Sequence, residues 1–387
     1  PTLVRAFWER PTIPWLLRDL RVFLLLIFFM VSTSFVQNQA LNVDLPQANG
    51  DAQPTEDLFI NVVVQQNGRY EIEGSIVVDT SLQGLAKTLQ AVVEKNLKKG
   101  PLKLKMKLIR FGKEGQEKPG IHLDGKNYDL SAFIKDYDES FFEQNGLEKL
   151  AGIVNEEKLP LVEDGQRIGS PIARPSKILC IGLNYAKHAK ETGAAIPTEP
   201  ILFMKSTSSL TGPFDNIIIP KNSEKTDWEV ELGVVIGKKA SYVSEAEAMD
   251  YVAGYVLHND VSERAFQLER GGTWDKGKGC DSFAPLGPWL VTKDEIPNPH
   301  QLRLWLSLNG KMMQDSNTDD LIFNIPQLIS YSSQFMTLLP GDVISTGTPA
   351  GVGLGFSPNI YLKPGDVVEL GIDGLGSSKQ TAIAYQK

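Results

Sequence analysis

Three carboxylates in the middle of the chain have the spacing of a metal site. Glu229 and Glu231 lie in the run DWEVELGVVIG, and Asp260 follows a second apolar run. Because strand side chains alternate between faces, Glu229 and Glu231 point to one side, where two buried carboxylates repel each other and lose hydration. Carboxylates with no Cys and little His around them suit a hard cation such as Mg²⁺ or Mn²⁺. The open alternative is a solvated strand face that presents its charges to water.

A histidine and a glutamate form a second candidate pair. His188 and Glu191 are three residues apart in a helix-like stretch, so their side chains can meet. A carboxylate beside an imidazole keeps the histidine basic and oriented. The other histidines are read as ordinary surface residues: His122, His258 and His300. Serine hydrolysis is not expected, because the chain has no G-x-S-x-G elbow.

Length and composition indicate a folded globular protein of two or three domains. The chain has 387 residues, of which 42% are hydrophobic and 22% charged. Its net charge of −8 argues against a broad nucleic-acid surface. Cys180 and Cys280 give neither a disulfide framework nor a zinc site, and they favour a reducing compartment. Because the chain begins with Pro1, we expect its natural N-terminus to lie upstream.

The first hundred residues differ in character from the rest. An uncharged apolar run at residues 22–36 predicts a transmembrane helix, although about 20 apolar residues are the usual span. Arg18 and Arg21 place the preceding leader, residues 1–21, on the cytoplasmic side. The open alternative is the hydrophobic region of a signal peptide, although no clean cleavage site follows it.

A hairpin and a helix are predicted beyond a linker at residues 37–58. Strand-like runs at residues 59–64 and 70–77 flank Asn67-Gly68, which is a hairpin signal. Apolar residues recur at helical spacing over residues 81–97, before a Lys/Gly/Pro linker at residues 98–105.

Residues 11–97 resemble the ExbD/TolR family of biopolymer-transport proteins. The resemblance rests on FLLLIFFMVSTSF, the LPQA segment and the NGRYEIEG hairpin. It implies an inner-membrane segment and a partial periplasmic domain at residues 59–97. The family's membrane aspartate, which takes part in proton flow, corresponds to Leu20, with Asp19 beside it. This departure and the missing second half of the periplasmic domain argue against proton coupling.

From Met106 onward the chain resembles the fumarylacetoacetate hydrolase superfamily. The motifs are IGLNYAKHAKETG, FMKSTSSLTGP, DWEVELGVVIG, HNDVSERAFQ, KGKGCDSFAPLGPW and STGTPAGVG. The resemblance implies an α+β, strand-rich fold, with a small N-terminal β domain at residues 106–173 and a mixed β-roll at residues 174–387. Apolar runs predict strands at residues 234–236, 252–257, 302–308, 343–344 and 367–370. The whole chain is then a gene fusion or a joined reading frame.

The same resemblance implies roles for residues in these motifs. Glu229, Glu231 and Asp260 would hold Mg²⁺ or Mn²⁺, which a 2-oxo acid chelates and which stabilises a developing enolate as a Lewis acid. His188 and Glu191, on a closing lid, would activate water. The remaining roles are substrate binding by Arg264, Gln267 and Thr348, and stabilisation of the anionic transition state by Lys278, with Lys276 as its competitor.

The resemblance leaves several reactions open. Hydrolysis of acylpyruvates, decarboxylation and keto–enol isomerisation share the metal-bound enolate of a 2-oxo acid. Residues 267–289 resemble the branch that acts on 2,4-diketo-3-deoxy sugar acids such as the fuconate and rhamnonate forms, which favours hydrolysis with release of pyruvate. The alternatives are a ureidoglycolate lyase, a 2-hydroxyhepta-2,4-diene-1,7-dioate isomerase, an inactive binding protein, and a membrane transport-energising subunit that carries the enzyme-like part as a passenger.

Assembly and location follow from the resemblance as well. Relatives are dimers that act on cytosolic small molecules, so it implies a cytoplasmic homodimer. The predicted orientation of residues 22–36 would instead place the enzyme outside the cytoplasm. Either that segment does not insert, or the natural enzyme begins at Met106.

Overall fold

The computed structural model describes residues 2–6, 60–64, 70–72, 75–76, 88 and 105–386. The chain divides into two compact units, residues 1–102 and residues 103–387. The predicted transmembrane segment, residues 22–36, lies outside the described residues. Within the described residues, no helix has the length and apolar character needed to cross a bilayer.

The first unit contains a four-stranded antiparallel sheet. Its strands in spatial order are β1 Thr2–Ala6, β2 Ile60–Val64, β3 Tyr70–Ile72 and β4 Ser75–Ile76. The predicted pairing of two strands is confirmed, because Val62 lies opposite Ile72. The run predicted as one strand at residues 70–77 forms two paired strands, and β1 was not predicted. Of the predicted helix at residues 81–97, the structure describes Thr88, which is helical.

The second unit is built mainly from strands. In chain order they are β5 Lys107–Phe111, β6 Lys118–Leu123, β7 Lys126–Asp129, β8 Ile168–Gly169, β9 Ile178–Gly182, β10 Ile201–Lys205, β11 Leu210–Thr211, β12 Ile217–Ile219, β13 Thr226–Asp227, β14 Val230–Ile236, β15 Val252–Asn259, β16 Ser262–Glu263, β17 Ala284–Pro285, β18 Leu290–Thr292, β19 Arg303–Leu308, β20 Lys311–Asn317, β21 Val343–Ser345, β22 Val367–Ile372 and β23 Gly376–Ala384.

Short helices connect these strands. The α-helices are α1 Glu139–Glu143, α2 Gly146–Glu156, α3 Ala186–Glu191, α4 Arg264–Leu268, α5 Asp275–Lys278 and α6 Ile325–Phe335. The 3-10 helices are Thr207–Ser209, Ala248–Tyr251, Lys293–Glu295, Thr318–Asp320 and Gly353–Gly355. Helix α6 begins with a capping box in which Asn324 and Gln327 bond reciprocally.

A ten-stranded mixed sheet is the frame of this unit. Its order is β10-β9-β21-β14-β15-β18-β5-β6-β7, with β8 paired to β5. The strands of residues 106–173 join those of residues 174–387 in one sheet, because Leu290 of β18 pairs with Leu108 of β5. A five-stranded sheet, β12-β23-β22-β19-β20, completes the unit together with two short strand pairs. The five strands predicted at residues 174–387 are confirmed as parts of β14, β15, β19, β21 and β22, although β19 begins at Arg303, one residue later than predicted.

The central strands β14 and β15 are buried on both faces. Val234 and Tyr255 lie in one apolar cluster with Leu306 and Leu370 of the five-stranded sheet. The opposite face belongs to a second cluster, which contains Val235, Val256, Phe142 of α1 and Leu150 of α2. Strands covered on both sides need apolar residues at nearly every position, which accounts for the unbroken apolar run. Polar side chains within these strands are therefore exceptions that need buried partners.

Side chains alternate between the two faces of a strand, and this alternation puts the carboxylates and the histidine in or beside β14 and β15 on one face of the sheet. Glu229 and Glu231 have the same parity as Val235, and His258 and Asp260 have the same parity as Val256. Register then aligns them, since Glu231 pairs with His258. Ser345, at the end of β21, pairs with Gly233. The sheet thus gathers carboxylates, an imidazole and a hydroxyl at adjacent strand ends.

Candidate active site

The three carboxylates predicted as metal ligands lie together. Each of Glu229, Glu231 and Asp260 offers an oxygen, and these oxygens lie within 4.8 Å of one another. All three side chains are buried, with at most 5% of any residue exposed. The backbone N–H of Asp260 donates to the carbonyl of Glu229 at 2.9 Å, which ties the two strand ends together. The alternative of a solvated strand face is wrong.

Cationic side chains surround two of these carboxylates. The Lys278 ammonium lies 2.7 Å from Oε2 of Glu229 and 2.8 Å from Oδ2 of Asp260. The Arg264 guanidinium lies 2.6 Å from Oε1 of Glu229. The Lys205 ammonium, which is fully buried, donates to Oδ1 of Asp260 at 2.5 Å and to the carbonyl of Val261 at 3.0 Å. Glu229 and Asp260 are therefore both neutralised within the protein.

These ion pairs keep Lys278 and Asp260 in their charged forms. Burial lowers the pKa of Lys278, but the charges of Asp260 and Glu229 outweigh burial and raise it above the usual lysine value. Burial raises the pKa of Asp260, but Lys205 and Lys278 outweigh it and hold that pKa well below its usual range. Lys278 is a permanent cation and Asp260 a permanent anion at neutral pH.

Glu231 differs from the other two carboxylates. Its Oε2 accepts hydrogen bonds from the Ser345 hydroxyl at 2.5 Å and the Gly347 N–H at 3.0 Å. Within residues 105–386, no lysine or arginine forms an ion pair with it. Burial raises the pKa of Glu231 well above its usual value, and the charges of Asp260 and Glu229 raise it further. A divalent cation bound by the three carboxylates would supply the positive charge that Glu231 lacks, so these residues fit Mg²⁺ or Mn²⁺.

His258 supports Glu231 through Ser345. It was expected to be a surface residue, but it is fully buried, with Nδ1 2.6 Å from the Ser345 hydroxyl. Burial lowers the pKa of His258 to about 3, so the ring is neutral. Because Ser345 donates its proton to Glu231, it accepts from the His258 Nδ1–H. This buried chain orients a carboxylate of the candidate metal site, as partners of metal ligands commonly do.

The predicted His188–Glu191 pair forms at the end of α3. Nδ1 of His188 lies 3.1 Å from Oε2 of Glu191, and the other oxygen of Glu191 accepts from the Gly351 N–H at 2.9 Å. The turn that follows Gly351 packs directly on this carboxylate, since a Cβ placed on Gly355 would lie 2.4 Å from the carboxyl carbon of Glu191. The glycine-rich turn at residues 351–355 therefore holds Glu191 in place.

Asn184 fixes the start of the helix that carries His188. Its Nδ2 donates to the carbonyl of Thr346 at 2.7 Å, and its Oδ1 accepts from the Phe323 N–H at 2.8 Å. The preceding residue, Leu183, has a φ of 52°, a conformation that bulky residues seldom adopt. The chain thus bends sharply from β9 into α3 and is clamped to the segment after β21.

The predicted substrate-binding residues lie around this centre. Oε1 of Gln267 accepts from Nη1 of Arg264 at 3.1 Å, and both side chains are buried. The Thr348 hydroxyl accepts from Nε2 of Gln314 at 2.9 Å and donates to the carbonyl of Val230 at 3.0 Å. Its hydroxyl proton is therefore already used within the protein.

Lys276 and Lys278, both in α5, lie in different places. Whereas Lys278 reaches the carboxylates, Lys276 is exposed and its ammonium bonds to the carbonyl of Arg270 at 2.5 Å. Cys280, just beyond α5, is half-buried, and burial raises its pKa to about 11. At neutral pH it is a thiol, as expected for a residue that is not a nucleophile.

Three residues of the centre were not predicted. Lys205 ends the run ILFMK, where it shares the inward parity of Phe203, so a lysine at an inward strand position was the available signal. Asp227 shares the parity of Glu229 and is fully buried. Ser345 follows two buried apolar residues at the end of β21, and a single serine there gave no signal of its own.

Comparison with protein families matches two parts of the chain. The family described as fumarylacetoacetate hydrolase, C-terminal, matches residues 177–382, which include the site. The family described as biopolymer transport protein ExbD/TolR matches residues 21–126, which ends at the first residue of β7. A Burkholderia multivorans protein, provisionally named a hydrolase, is 55% identical over 281 residues, which cover 72% of this chain and 99% of that protein.

Solved structures resemble the second part of the chain. A fumarylacetoacetate hydrolase from Exiguobacterium antarcticum is 32% identical with a TM-score of 0.64, and the match covers 72% of this chain and 100% of that one. Two others each match 73% of this chain and 100% of their own. They are a 2-hydroxyhepta-2,4-diene-1,7-dioate isomerase from Mycobacterium marinum (30% identity, TM-score 0.56) and a maleylpyruvate hydrolase from Sphingobium sp. SYK-6 in complex with manganese(II) and pyruvate (28% identity, TM-score 0.60). The chain belongs to the fumarylacetoacetate hydrolase family, whose members are enzymes that act on carbon–carbon bonds.

Proposed function

We propose that this enzyme hydrolyses a carbon–carbon bond in a 2,4-diketo acid of the acylpyruvate type and releases pyruvate. One observation carries the proposal. A single segment that begins at the end of β21 contacts both halves of the site, because Ser345 and Gly347 donate to Glu231 and Gly351 donates to Glu191. The segment thus holds a candidate metal ligand and the His188–Glu191 pair in fixed relative positions. This arrangement suits a reaction that needs both a stabilised enolate and an activated water.

Charge supports an anionic substrate. The four buried carboxylates at the centre, which include Asp227, carry one negative charge more than its three cations: Lys205, Lys278 and Arg264. With Mg²⁺ or Mn²⁺ held by Glu229, Glu231 and Asp260, the balance becomes positive and favours a 2-oxo acid anion. When bound, the ion supplies Lewis-acid stabilisation of negative charge on the keto oxygen.

His188 is the proposed general base. Its Nδ1–H donates to Glu191, which leaves Nε2 free to accept a proton from water. That water attacks the C4 carbonyl of the substrate, and the C3–C4 bond then breaks. The Lys278 ammonium stabilises the negative charge that remains on the pyruvate fragment. His188 then returns the proton it took from water to C3, which gives pyruvate and the carboxylic acid of the other fragment. Arg264 and Gln267 bind substrate oxygens in this proposal, whereas the Thr348 hydroxyl would first have to give up its hydrogen bond to the Val230 carbonyl.

A second candidate reaction is isomerisation of a 2-oxo acid. The similarity to a 2-hydroxyhepta-2,4-diene-1,7-dioate isomerase favours it. Isomerisation uses the same enolate but needs no water-activating base. The two reactions therefore differ in how much they depend on His188.

Substitution of the dyad tests the choice between them. For hydrolysis, His188→Asn and Glu191→Gln should each lower kcat for pyruvate release by about 10²- to 10⁴-fold. Binding of Mn²⁺, followed by electron paramagnetic resonance, should stay unchanged. Unchanged pyruvate release in His188→Asn with metal bound would rule out the proposed base. Substrate isomers without pyruvate would favour isomerisation, and glyoxylate from ureidoglycolate would favour the lyase.

We also propose that residues 1–102 are a fused ExbD/TolR-like segment that catalysis does not need. The match at residues 21–126 supports the fusion, and a relative that consists almost wholly of the matched 281 residues supports the independence of the enzyme. The enzyme part is proposed to act as a cytoplasmic homodimer, which requires either that residues 22–36 do not insert in a membrane or that the natural enzyme begins at Met106. Residues 103–387 alone should keep the kcat of the full chain and run as a dimer in light scattering.

A further inference from the structure

Asp227 is a buried carboxylate whose two oxygens are fully used. It is 0% exposed, and Oδ1 accepts from the N–H of Trp228 at 2.8 Å and of Gly353 at 2.6 Å. Oδ2 accepts from the N–H of Leu354 at 3.0 Å and from Nε of Arg264 at 2.8 Å. A carboxylate offers about four lone-pair sites, so Asp227 has four donors for four sites.

One of these donors leads to the proposed metal ligands. The Arg264 guanidinium that bonds to Asp227 through Nε also bonds to Glu229 through Nη2 at 2.6 Å and to Gln267 through Nη1 at 3.1 Å. Because the guanidinium is planar and rigid, fixing one edge fixes the direction of the others. Asp227 therefore sets the angle at which Arg264 meets Glu229.

The backbone donors lead to the histidine dyad. Gly353 and Leu354 belong to the turn whose Gly351 N–H bonds to Glu191 and whose Gly355 packs on the same carboxylate. Trp228, next to Asp227, donates from Nε1 to the carbonyl of Gly351 at 3.1 Å. The turn comes so close that a Cβ on Gly353 would lie 2.7 Å from Oδ1 of Asp227.

We propose that Asp227 is a positioning residue that couples the carboxylate centre to the His188–Glu191 dyad. It holds Arg264 against Glu229 on one side and the turn at residues 351–355 against Glu191 on the other. This inference rests on the proposed function, because only the proposed hydrolysis requires the carboxylate centre and the dyad to act in the same reaction. Asp227 touches neither water nor substrate in this account and acts only through its partners.

Asp227→Asn tests the inference with little change in shape. An asparagine has one oxygen for two of the four donors, and its NH₂ group would face the other two. We expect amide exchange in a peptide covering residues 346–356 to become about 10- to 100-fold faster, as for lost hydrogen bonds to a charged acceptor. We expect kcat to fall about 10- to 100-fold, as for partners of ligating and catalytic groups, with KM much less affected.

Asp342→Asn is the matched control. Asp342 is 1% exposed and also has four bonds, from the Ser176 hydroxyl, the N–H groups of Lys177 and Leu339, and the Lys177 ammonium. Asp342 lies outside the site. Asp342→Asn should therefore lower the stability of the protein without faster amide exchange in the turn at residues 351–355. Leu354→Pro is a second variant, which deletes one donor to Asp227 in a 3-10 turn that proline tolerates.

The inference is overturned if Asp227→Asn keeps the wild-type kcat or leaves the exchange of the turn unchanged. It is also overturned if Asp342→Asn speeds that exchange equally. If Asp227→Asn does not fold, Leu354→Pro is measured in its place. Unchanged amide exchange at Gly351 and Gly355 in that variant would then overturn the inference. If the wild type releases no pyruvate, the proposed function fails, while the exchange comparison still decides whether Asp227 holds the turn.

Discussion

The hydroxyl of Ser345 donates a 2.5 Å hydrogen bond to Glu231, the carboxylate that forms no ion pair with a lysine or arginine of residues 105–386. Nδ1 of His258 lies 2.6 Å from the same hydroxyl and fixes its direction. A neutral donor thus orients Glu231 without neutralising it. A divalent cation bound there would supply the positive charge that Glu231 lacks.

Removing this hydroxyl should weaken metal binding. We expect Ser345→Ala to raise the Kd for Mn²⁺ by about 10- to 100-fold, because Glu231 loses the donor that orients it. Titration followed by electron paramagnetic resonance measures the change without turnover. Ser378→Ala is the control, since Ser378 is a buried strand serine that accepts from Gln380. Equal Kd values for Ser345→Ala and the wild type would contradict the role given to Ser345.

Glu231 and Glu229 should respond oppositely to neutralisation in the metal-free protein. Because the pKa of Glu231 is raised in the folded state, its contribution to stability is lost as pH rises through that pKa. Glu231→Gln should therefore raise Tm in EDTA, and its advantage over wild type should grow with pH. Glu229→Gln should lower the free energy of unfolding by about 3–5 kcal/mol, because Arg264 and Lys278 lose a buried partner.

Thermal unfolding in EDTA at several pH values measures both effects. Added Mn²⁺ should stabilise the wild type but neither variant, since each lacks one ligand. A lower Tm for Glu231→Gln than for wild type above neutral pH would mean that Glu231 is already compensated. The account of an uncompensated carboxylate would then be wrong.

Lys276 and Lys278 of α5 provide a matched pair for substitution. Lys278→Met should lower kcat by about 10²- to 10³-fold, the usual loss when a group that stabilises developing charge is removed. Its Mn²⁺ affinity should not fall, because an ammonium that competes for Glu229 and Asp260 is gone. Lys276→Met should behave as wild type in both assays. Similar kcat losses in the two variants would contradict the assignment of Lys278.

Much of the site could be predicted because its residues are close in the sequence, at the spacing of a strand or a helix. Glu229 and Glu231 are two apart in a strand, and His188 and Glu191 are three apart in a helix, so local geometry alone brings each pair together. The buried central strands were predicted for the same reason, since their apolar runs are continuous.

The remaining partners depend on contacts between distant segments. Lys205 is 55 residues from Asp260, and Ser345 is 87 residues from His258. No local pattern marks such a pair, because sheet order and register decide which side chains meet. The single sheet that joins residues 106–173 to residues 174–387 also depends on such a pairing, between β5 and β18.

The most direct test of the account is pyruvate release by the protein from 2,4-diketo acids, measured with Mg²⁺ and with EDTA. The panel should include acylpyruvates and 2,4-diketo-3-deoxy sugar acids, with oxaloacetate and ureidoglycolate for the other reactions. The account predicts pyruvate from at least one diketo acid with Mg²⁺, none with EDTA, and recovery when Mg²⁺ is restored. Pyruvate release that persists in EDTA, or none from any diketo acid while metal is bound, would contradict it.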